Sequence, residues 1–275
     1  MSVVLITGAA SGIGAATARE AVRRGHRVAL ADIDIAGASL LATVLGSAAC
    51  AVELDIRDED AWEAAFDTVA SRLGPVEVLI NNAGIIHTGY ARQLSMAQHR
   101  HMVEVNLIGP MAGMMAALPR MRTQGHGHII TVCSMSSFMP LIGYTSYGAT
   151  KHGLRAFHHS VAIEEQGGPV TFSIVHPPST RTPMLEQEIA DPSSVIAFAE
   201  KSLSPEQVAS VIVDAIAKKP VEVVQPALAG RFQRAVGVFP RLMHFAIPKV
   251  AAMAKRRSPG AGPAPVTARE QGGSR

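Results

Sequence analysis

Two of the chain's three tyrosines, Tyr144 and Tyr147, fall in the stretch YTSYGATK, residues 144–151, which ends on Lys151. Tyr147 and Lys151 are four apart, so on a helix they share one face, one turn apart. Tyr144 is seven residues before the lysine, two turns away and too far to share its charge closely. A phenol with a pKa of about 10 is a poor base near neutrality. A neighbouring ammonium favours phenolate and lowers that value, so Tyr147 is the tyrosine able to exchange a proton with a substrate oxygen. Three hydroxyls, Ser134, Ser136 and Ser137, stand just upstream, where one could hydrogen-bond the same oxygen.

A second group of residues suits a phosphate. The apolar run SVVLIT leads into TGAASGIG, residues 7–14. Gly8, Gly12 and Gly14 permit a tight turn and close approach of a pyrophosphate, and the helix that follows presents its N-terminus to the anion. The next apolar run, RVALAD, ends at Asp32. A carboxylate there accepts hydrogen bonds from both hydroxyls of an adenosine ribose and repels a 2′-phosphate, which favours NAD(H) over NADP(H). Ser11, where a basic residue could meet that phosphate, points the same way. Asp34 is the alternative ribose partner, ranked second because Asp32 directly ends the apolar run. Arg27 begins that run and is expected at its far end. The positive nicotinamide of the oxidised cofactor adds to the pull that lowers the Tyr147 pKa.

These residues need a scaffold, and the sequence has one. SVVLIT, RVALAD, ACAVELD, VEVLIN, HIITVCS, VTFSIVH and VEVVQ read as strands, separated by alanine-rich segments with the length and spacing of helices. Near-continuous apolar strands alternating with helices predict an α/β fold, a doubly wound parallel sheet of about seven strands with helices on both faces. Ligands of such sheets lie beyond the C-terminal strand ends, where all these motifs fall. The long fourth helix contains Asn106, and Pro110 four residues on has no N–H for its carbonyl, which predicts a free carbonyl and a local kink. Residues 184–203 read as a helical substrate lid with apolar Val195, Ile196 and Phe198, before a helix with Ser204 as N-cap and Pro205 at its first position.

The chain has 275 residues, enough to bury a sizeable core. Its organisation reads as a dinucleotide-binding catalytic domain over 1–225, a basic, apolar helical extension over 226–257 and a disordered tail over 258–275. Two distant cysteines, Cys50 and Cys133, suggest a reduced, cytoplasmic protein. The N-terminus lacks the pattern of a signal peptide, and no run of about 18 apolar residues predicts a membrane span. The net charge of +3 is uneven: from Arg231 on, nine basic residues oppose only Glu270, a net +8, which leaves −5 for residues 1–230. The basic balance therefore describes the tail and gives no reason to expect nucleic acid at the body.

With TGAASGIG, NNAG at 81–84 and Tyr147-Gly-Ala-Thr-Lys151, the chain resembles the short-chain dehydrogenase/reductase family over about residues 1–225. The resemblance implies an oxidoreductase that interconverts a secondary alcohol and a ketone, with a catalytic set of Asn106, Ser134, Tyr147 and Lys151. Its serine precedes the tyrosine by twelve intervening residues, which selects Ser134, with Ser136 in support at the substrate pocket. Asn106 would hold a water behind the lysine, and Lys151 would hold the nicotinamide ribose. Asp55 would contact adenine beside Ile56. Asn82, Ala83 and Gly84 would pass along the adenine ribose, and Ile13 would join the glycine turn at the cofactor. Members commonly pair through the fourth and fifth helices, which implies a homodimer or homotetramer.

The chain departs from the family after the sixth strand. In HPPSTRT, Pro178 replaces the usual glycine, giving a stiffer loop, while Pro177, Thr180 and Thr182 keep their places at the cofactor. Tyr144 is the candidate wall of the substrate pocket. The extension RFQRAVGVFPRLMHFAIPKVAAMAKRR has the composition of a helix lying on an anionic membrane, which would suit a lipid- or steroid-like substrate. The alternative is a helix packed on its own or a partner subunit. The histidines of GHGH at 125–128 and His158-His159 are expected at solvated positions, and no metal is expected.

Overall fold

In the computed structural model, which describes residues 1–191, 193–194, 202–226, 230, 233–235 and 237–257, seven parallel strands form one sheet. They are β1 (Val3–Thr7), β2 (Arg27–Asp32), β3 (Ala49–Glu53), β4 (Val78–Asn81), β5 (Gly127–Val132), β6 (Val170–His176) and β7 (Glu222–Val224), in the order β3-β2-β1-β4-β5-β6-β7. The order reverses direction between β1 and β4, the crevice where a Rossmann-type sheet receives its ligand. The helices are α1 (Gly12–Arg23), α2 (Ile35–Leu45), α3 (Glu59–Leu73), α4 (Met96–Val103), α5 (Gly109–Gln124), α6 (Thr145–Glu164), α7 (Pro183–Ala190), α8 (Pro205–Lys218) and α9 (Pro240–Arg257).

Strand alternation divides the core. Val3 and Leu5 of β1 pack with Trp62, Phe66, Met114 and Leu154 from α3, α5 and α6. Val4 and Ile6 pack on the opposite face with Ala18 of α1 and Val208 and Ile212 of α8. Successive side chains point to opposite faces, so an uninterrupted apolar strand needs helices on both. Ser204 caps α8 as expected, accepting from the Gln207 N–H while Gln207 returns a bond to the Ser204 N–H, a reciprocal capping box.

The predicted break in the long fourth helix is present as a π-helical turn, Glu104–Ile108, between α4 and α5. The Gly109 N–H reaches back to the Glu104 carbonyl, and Pro110 offers no donor to Asn106. The combined helical stretch Met96–Gln124 has, by length and composition only, what a membrane-crossing helix needs. Met102, Met114 and Met121 of this stretch are fully buried, so its inner face belongs to the core. The predicted lid begins as α7, whereas Val195, Ile196, Phe198 and residues 258–275 lie outside the described residues.

Candidate active site

The cleft above the β1/β4 crevice has a volume of about 520 Å³. Of the predicted cofactor residues, it brings together Gly8, Ser11, Gly12, Ile13, Asp32, Asp55, Ile56, Asn82, Ala83, Gly84 and Thr182. Gly8 has φ +65°, and a Cβ there would stand 2.8 Å from the Ala83 Cα. Gly14 sits beneath the turn, where a Cβ would fall 2.0 Å from the Gly8 carbonyl oxygen. Neither position admits a side chain.

The cleft fits a dinucleotide. Ser11 at the N-cap of α1 is extended and makes no side-chain cap bond, and the first turn carries no acid. The first amides of α1 are thus left for an anionic ligand, reinforced by the helix dipole. Asp32 lies at the cleft edge, its Oδ2 accepting from the Ala10 N–H at 2.8 Å and its Oδ1 from the Asp34 N–H at 2.9 Å. Asp34 instead accepts from the Gly37 N–H at 3.0 Å and caps α2. Asp55 pairs with Arg57 at 2.6 Å, which holds its carboxyl below the ordinary range. Arg27 starts β2, at the far end as expected.

Thr7 fastens the glycine turn to the NNAG segment, its hydroxyl accepting from both the Asn82 and Ala83 N–H groups at 3.0 Å. The Asn82 side chain donates to the Thr7 carbonyl at 2.9 Å. Thr182 meets the turn from above, with its methyl 3.2 Å from where a Gly12 Cβ would stand. Pro177 and Thr180 do not line the cleft. They belong to the loop after β6, where the Thr180 hydroxyl donates to the Pro178 carbonyl at 2.9 Å and the Arg181 N–H donates to the Leu203 carbonyl.

Beyond the cleft, the four catalytic candidates converge. Asn106 is fully buried, its amide giving and taking bonds of 2.8 Å with the Ile85 backbone. A Cβ on Gly84 would stand 3.3 Å from Asn106 Oδ1 and 3.7 Å from Lys151 Nζ, so both side chains meet over this glycine. Lys151 is buried, with Nζ 5.6 Å from the centre of the Tyr147 ring and 3.5 Å from the Val132 carbonyl. Ser134 follows β5 in extended conformation, and its hydroxyl accepts from the Ser136 N–H at 3.1 Å. The Ser134 hydroxyl works to lower the Tyr147 phenol, against the burial that raises it. Ser136 is buried against Ser134, and Ser137 is tied to His176 at 2.9 Å.

Two sequence expectations need correction. The phenol of Tyr147 is held above, not below, its ordinary pKa: burial raises it, and the charge of Glu188 adds to that. Burial also pulls down the Lys151 ammonium. The histidines also differ. His128 and His158 are core residues rather than solvated ones, bonded to Ser173 at 2.9 Å and Thr131 at 2.9 Å. Burial holds them neutral, with pKa values of about 4 and about 3. Among the described residues, no cluster of His, Cys, Asp or Glu could hold a metal.

Tyr144 is buried at the start of α6, edge-on to Tyr147 with ring centres 6.2 Å apart, and its hydroxyl donates to Glu188 Oε2 at 2.8 Å. Glu188 escaped the sequence reading. It stands in a segment with no motif, and only the packing of α7 on α6 reveals it. Ile33, Ile85, Ile86, His101 and Gln187 also line the cleft unannounced. The first three adjoin residues that motifs identify, so neighbourhood was the available signal.

A sequence profile described as short chain dehydrogenase matches residues 2–193. The 3-alpha-(or 20-beta)-hydroxysteroid dehydrogenase of Mycobacterium tuberculosis is 33% identical over 184 residues, 67% of this chain and 71% of its own. The 3-beta-hydroxysteroid dehydrogenase of Comamonas testosteroni is 31% identical over 189 residues, 68% of this chain and 74% of its own. Among solved structures, the 3-ketoacyl-(acyl-carrier-protein) reductase of Brucella melitensis complexed with NADH superposes with a TM-score of 0.75 at 28% identity, over 82% of this chain and 96% of that one. The matched profile and these relatives, taken with the cleft just described, establish that the chain belongs to the short chain dehydrogenase family, oxidoreductases acting on CH–OH groups with NAD(P).

Proposed function

We propose that this oxidoreductase is an NAD(H)-dependent enzyme that interconverts a secondary alcohol and a ketone on a hydrophobic, lipid- or steroid-like molecule. The observation that carries the cofactor preference is Asp32, a carboxylate at the cleft edge already fixed by two backbone amides. It suits a free ribose and repels a 2′-phosphate. The NADH complex of the Brucella reductase agrees with this choice.

The nicotinamide, when bound, supplies the hydride acceptor or donor. In this reading Tyr147 exchanges the proton with the substrate oxygen, and Ser134 hydrogen-bonds that oxygen and keeps it in line. Lys151 favours the phenolate and holds the nicotinamide ribose, while the Asn106 carbonyl freed by Pro110 holds a water of the proton path. Pro177, Thr180 and Thr182 border the nicotinamide end.

For the substrate, the two relatives are named as hydroxysteroid dehydrogenases. An apolar groove of about 360 Å³ beside Tyr144, lined by Leu141, Ile142, Met243 and Ile247, supports the same class. Exposed Val103, Ile108, Met115 and Ile163 on the α4–α6 surface support a homodimer or homotetramer. The free thiols Cys50 and Cys133 suit a reducing cytoplasm. A second reading adds peripheral contact with an anionic membrane through α9, supported by exposed Phe239, Leu242 and Phe245 beside Arg241 and Lys249.

The test is a panel of steroid, long-chain and alicyclic secondary alcohols assayed with NAD and with NADP. Turnover with NAD at least ~100-fold more efficient than with NADP is expected, and Asp32→Ala should narrow that ratio. An NADP preference in the unaltered protein refutes the cofactor assignment.

A further inference from the structure

The carbonyl of Ser134 is held from behind. It accepts from the Ser137 hydroxyl at 2.7 Å and from His176 Nδ1 at 3.0 Å. His176 closes β6 and is completely buried. Its other nitrogen, Nε2, lies 2.9 Å from Glu222 Oε1, at the start of β7. Glu222 also receives Arg155 at 2.9 Å and Arg234 at 2.6 Å. Burial favours a neutral Glu222, but the His176 imidazole and the Arg155 guanidinium beside it outweigh that and hold the carboxyl well below the ordinary range. Arg155 lies on α6 one turn beyond Lys151.

The same groups clamp Phe138, the residue that ends the turn begun by Ser134. Its ring packs tilted against His176 with centres 4.6 Å apart, and the guanidiniums of Arg155 and Arg234 each lie 4.9 Å from its centre. Two cations share one aromatic ring and one carboxylate. Gly237 of the extension approaches closely, since a Cβ there would fall 2.1 Å from the Phe138 carbonyl oxygen. Arg234 and Gly237 both lie beyond β7, the last strand of the sheet.

We infer that Arg234, Glu222 and His176 are positioning residues that hold Ser134 at the reacting oxygen, so that the segment beyond β7 is a working part of the active site. The inference rests on the reading that Ser134 and Tyr147 act on the substrate oxygen. Displacing a group by 1 Å at such a site can cost about 100-fold in rate. Arg234 acts through two intermediate residues, so its removal has a smaller effect than removal of Ser134 itself. None of the three lines the dinucleotide cleft, so cofactor affinity is independent of them.

The experiment compares Arg234→Ala, Arg234→Lys, Glu222→Gln and Ser134→Ala in the full chain. Turnover is measured with NAD and the best alcohol of the panel above, NAD affinity by titration, and folding by thermal unfolding. Arg234→Ala should lower kcat roughly 10-fold with NAD affinity changed less than twofold, and Arg234→Lys should recover part of the loss. Arg234 is at the surface rim, so its variant tests the idea even where Glu222→Gln does not fold. An unchanged kcat per folded site in Arg234→Ala, with Ser134→Ala inactive, overturns the positioning role and leaves the site reading intact. A lowered unfolding temperature with full kcat has the same meaning. Full activity in Ser134→Ala removes the reading on which the inference stands.

Discussion

In the proposed mechanism, Glu188 sets a cost on the acid/base role of Tyr147. Its carboxylate anchors the Tyr144 hydroxyl and at the same time opposes phenolate at Tyr147. Alcohol oxidation needs that phenolate, so activity rises with pH as the phenol ionises. Glu188→Gln keeps a hydrogen-bonding group for Tyr144 but removes the charge. The phenol then ionises more easily, and the rising limb of kcat/KM for oxidation should move to lower pH, by roughly half to one unit. In the reductive direction, where the protonated phenol is the acid, the falling limb should move the same way. A limb unmoved in both directions shows that Glu188 has no electrostatic hold on Tyr147. This pairing also marks the limit of the sequence. Tyr147 and Lys151 are legible because four-residue spacing on one helix fixes their proximity. Glu188 lies 41 positions from Tyr147, and no local periodicity connects α7 to α6.

At the scale of the elements, the sheet was legible because seven apolar runs can be satisfied only by helices on both faces. That the long helix is interrupted near Asn106 was legible for a different reason, the missing N–H of Pro110, though its π-helical form was not. What could not be read was the second effect of that turn, which aims the Asn106 side chain at the Ile85 backbone. The buried histidines were misread because a polar side chain in a short motif looks solvated until its partner strand is known. Ser173, the partner of His128, sits on β6, 45 residues away. Pro110→Ala restores a donor to the Asn106 carbonyl and should favour an ordinary α-helical turn. Turnover is expected to fall several-fold while NAD affinity, set by the cleft on the far side of Gly84, stays within twofold. The solvent isotope effect on kcat should rise as proton movement becomes limiting. Unchanged turnover in a folded Pro110→Ala protein removes the link between this turn and the proton path.

On the scale of the whole molecule, charge and apolar surface are separated in a way the catalytic fold does not require. Nine basic residues follow position 230, against a body of −5. Phe239 is 60% exposed and Phe245 62% exposed, and Val238 and Leu242 are exposed as well. The Lys249 ammonium lies 3.4 Å from the centre of the Phe245 ring, so cation and apolar group share one patch. Packing against a second subunit accounts for apolar groups, but Arg241 and Lys249 of α9 would then face their symmetry mates. An anionic bilayer satisfies both, at about 1 kcal/mol for each basic residue near its surface. Co-sedimentation of the full chain with vesicles rich in anionic phospholipid should therefore exceed that with neutral phosphatidylcholine at least ~10-fold. The difference should collapse as salt shortens the screening length to a few ångströms. Phe245→Ser should weaken binding at every salt concentration, and Arg241→Glu mainly at low salt. Equal sedimentation with both vesicle types, or none with either, leaves subunit packing as the role of α9. In that event a higher-order oligomer should dissociate in Phe245→Ser, as read by light scattering. The groove between α9 and the loop before Tyr144 gives the membrane reading its functional sense, because an apolar alcohol held in the bilayer would meet the protein beside that groove.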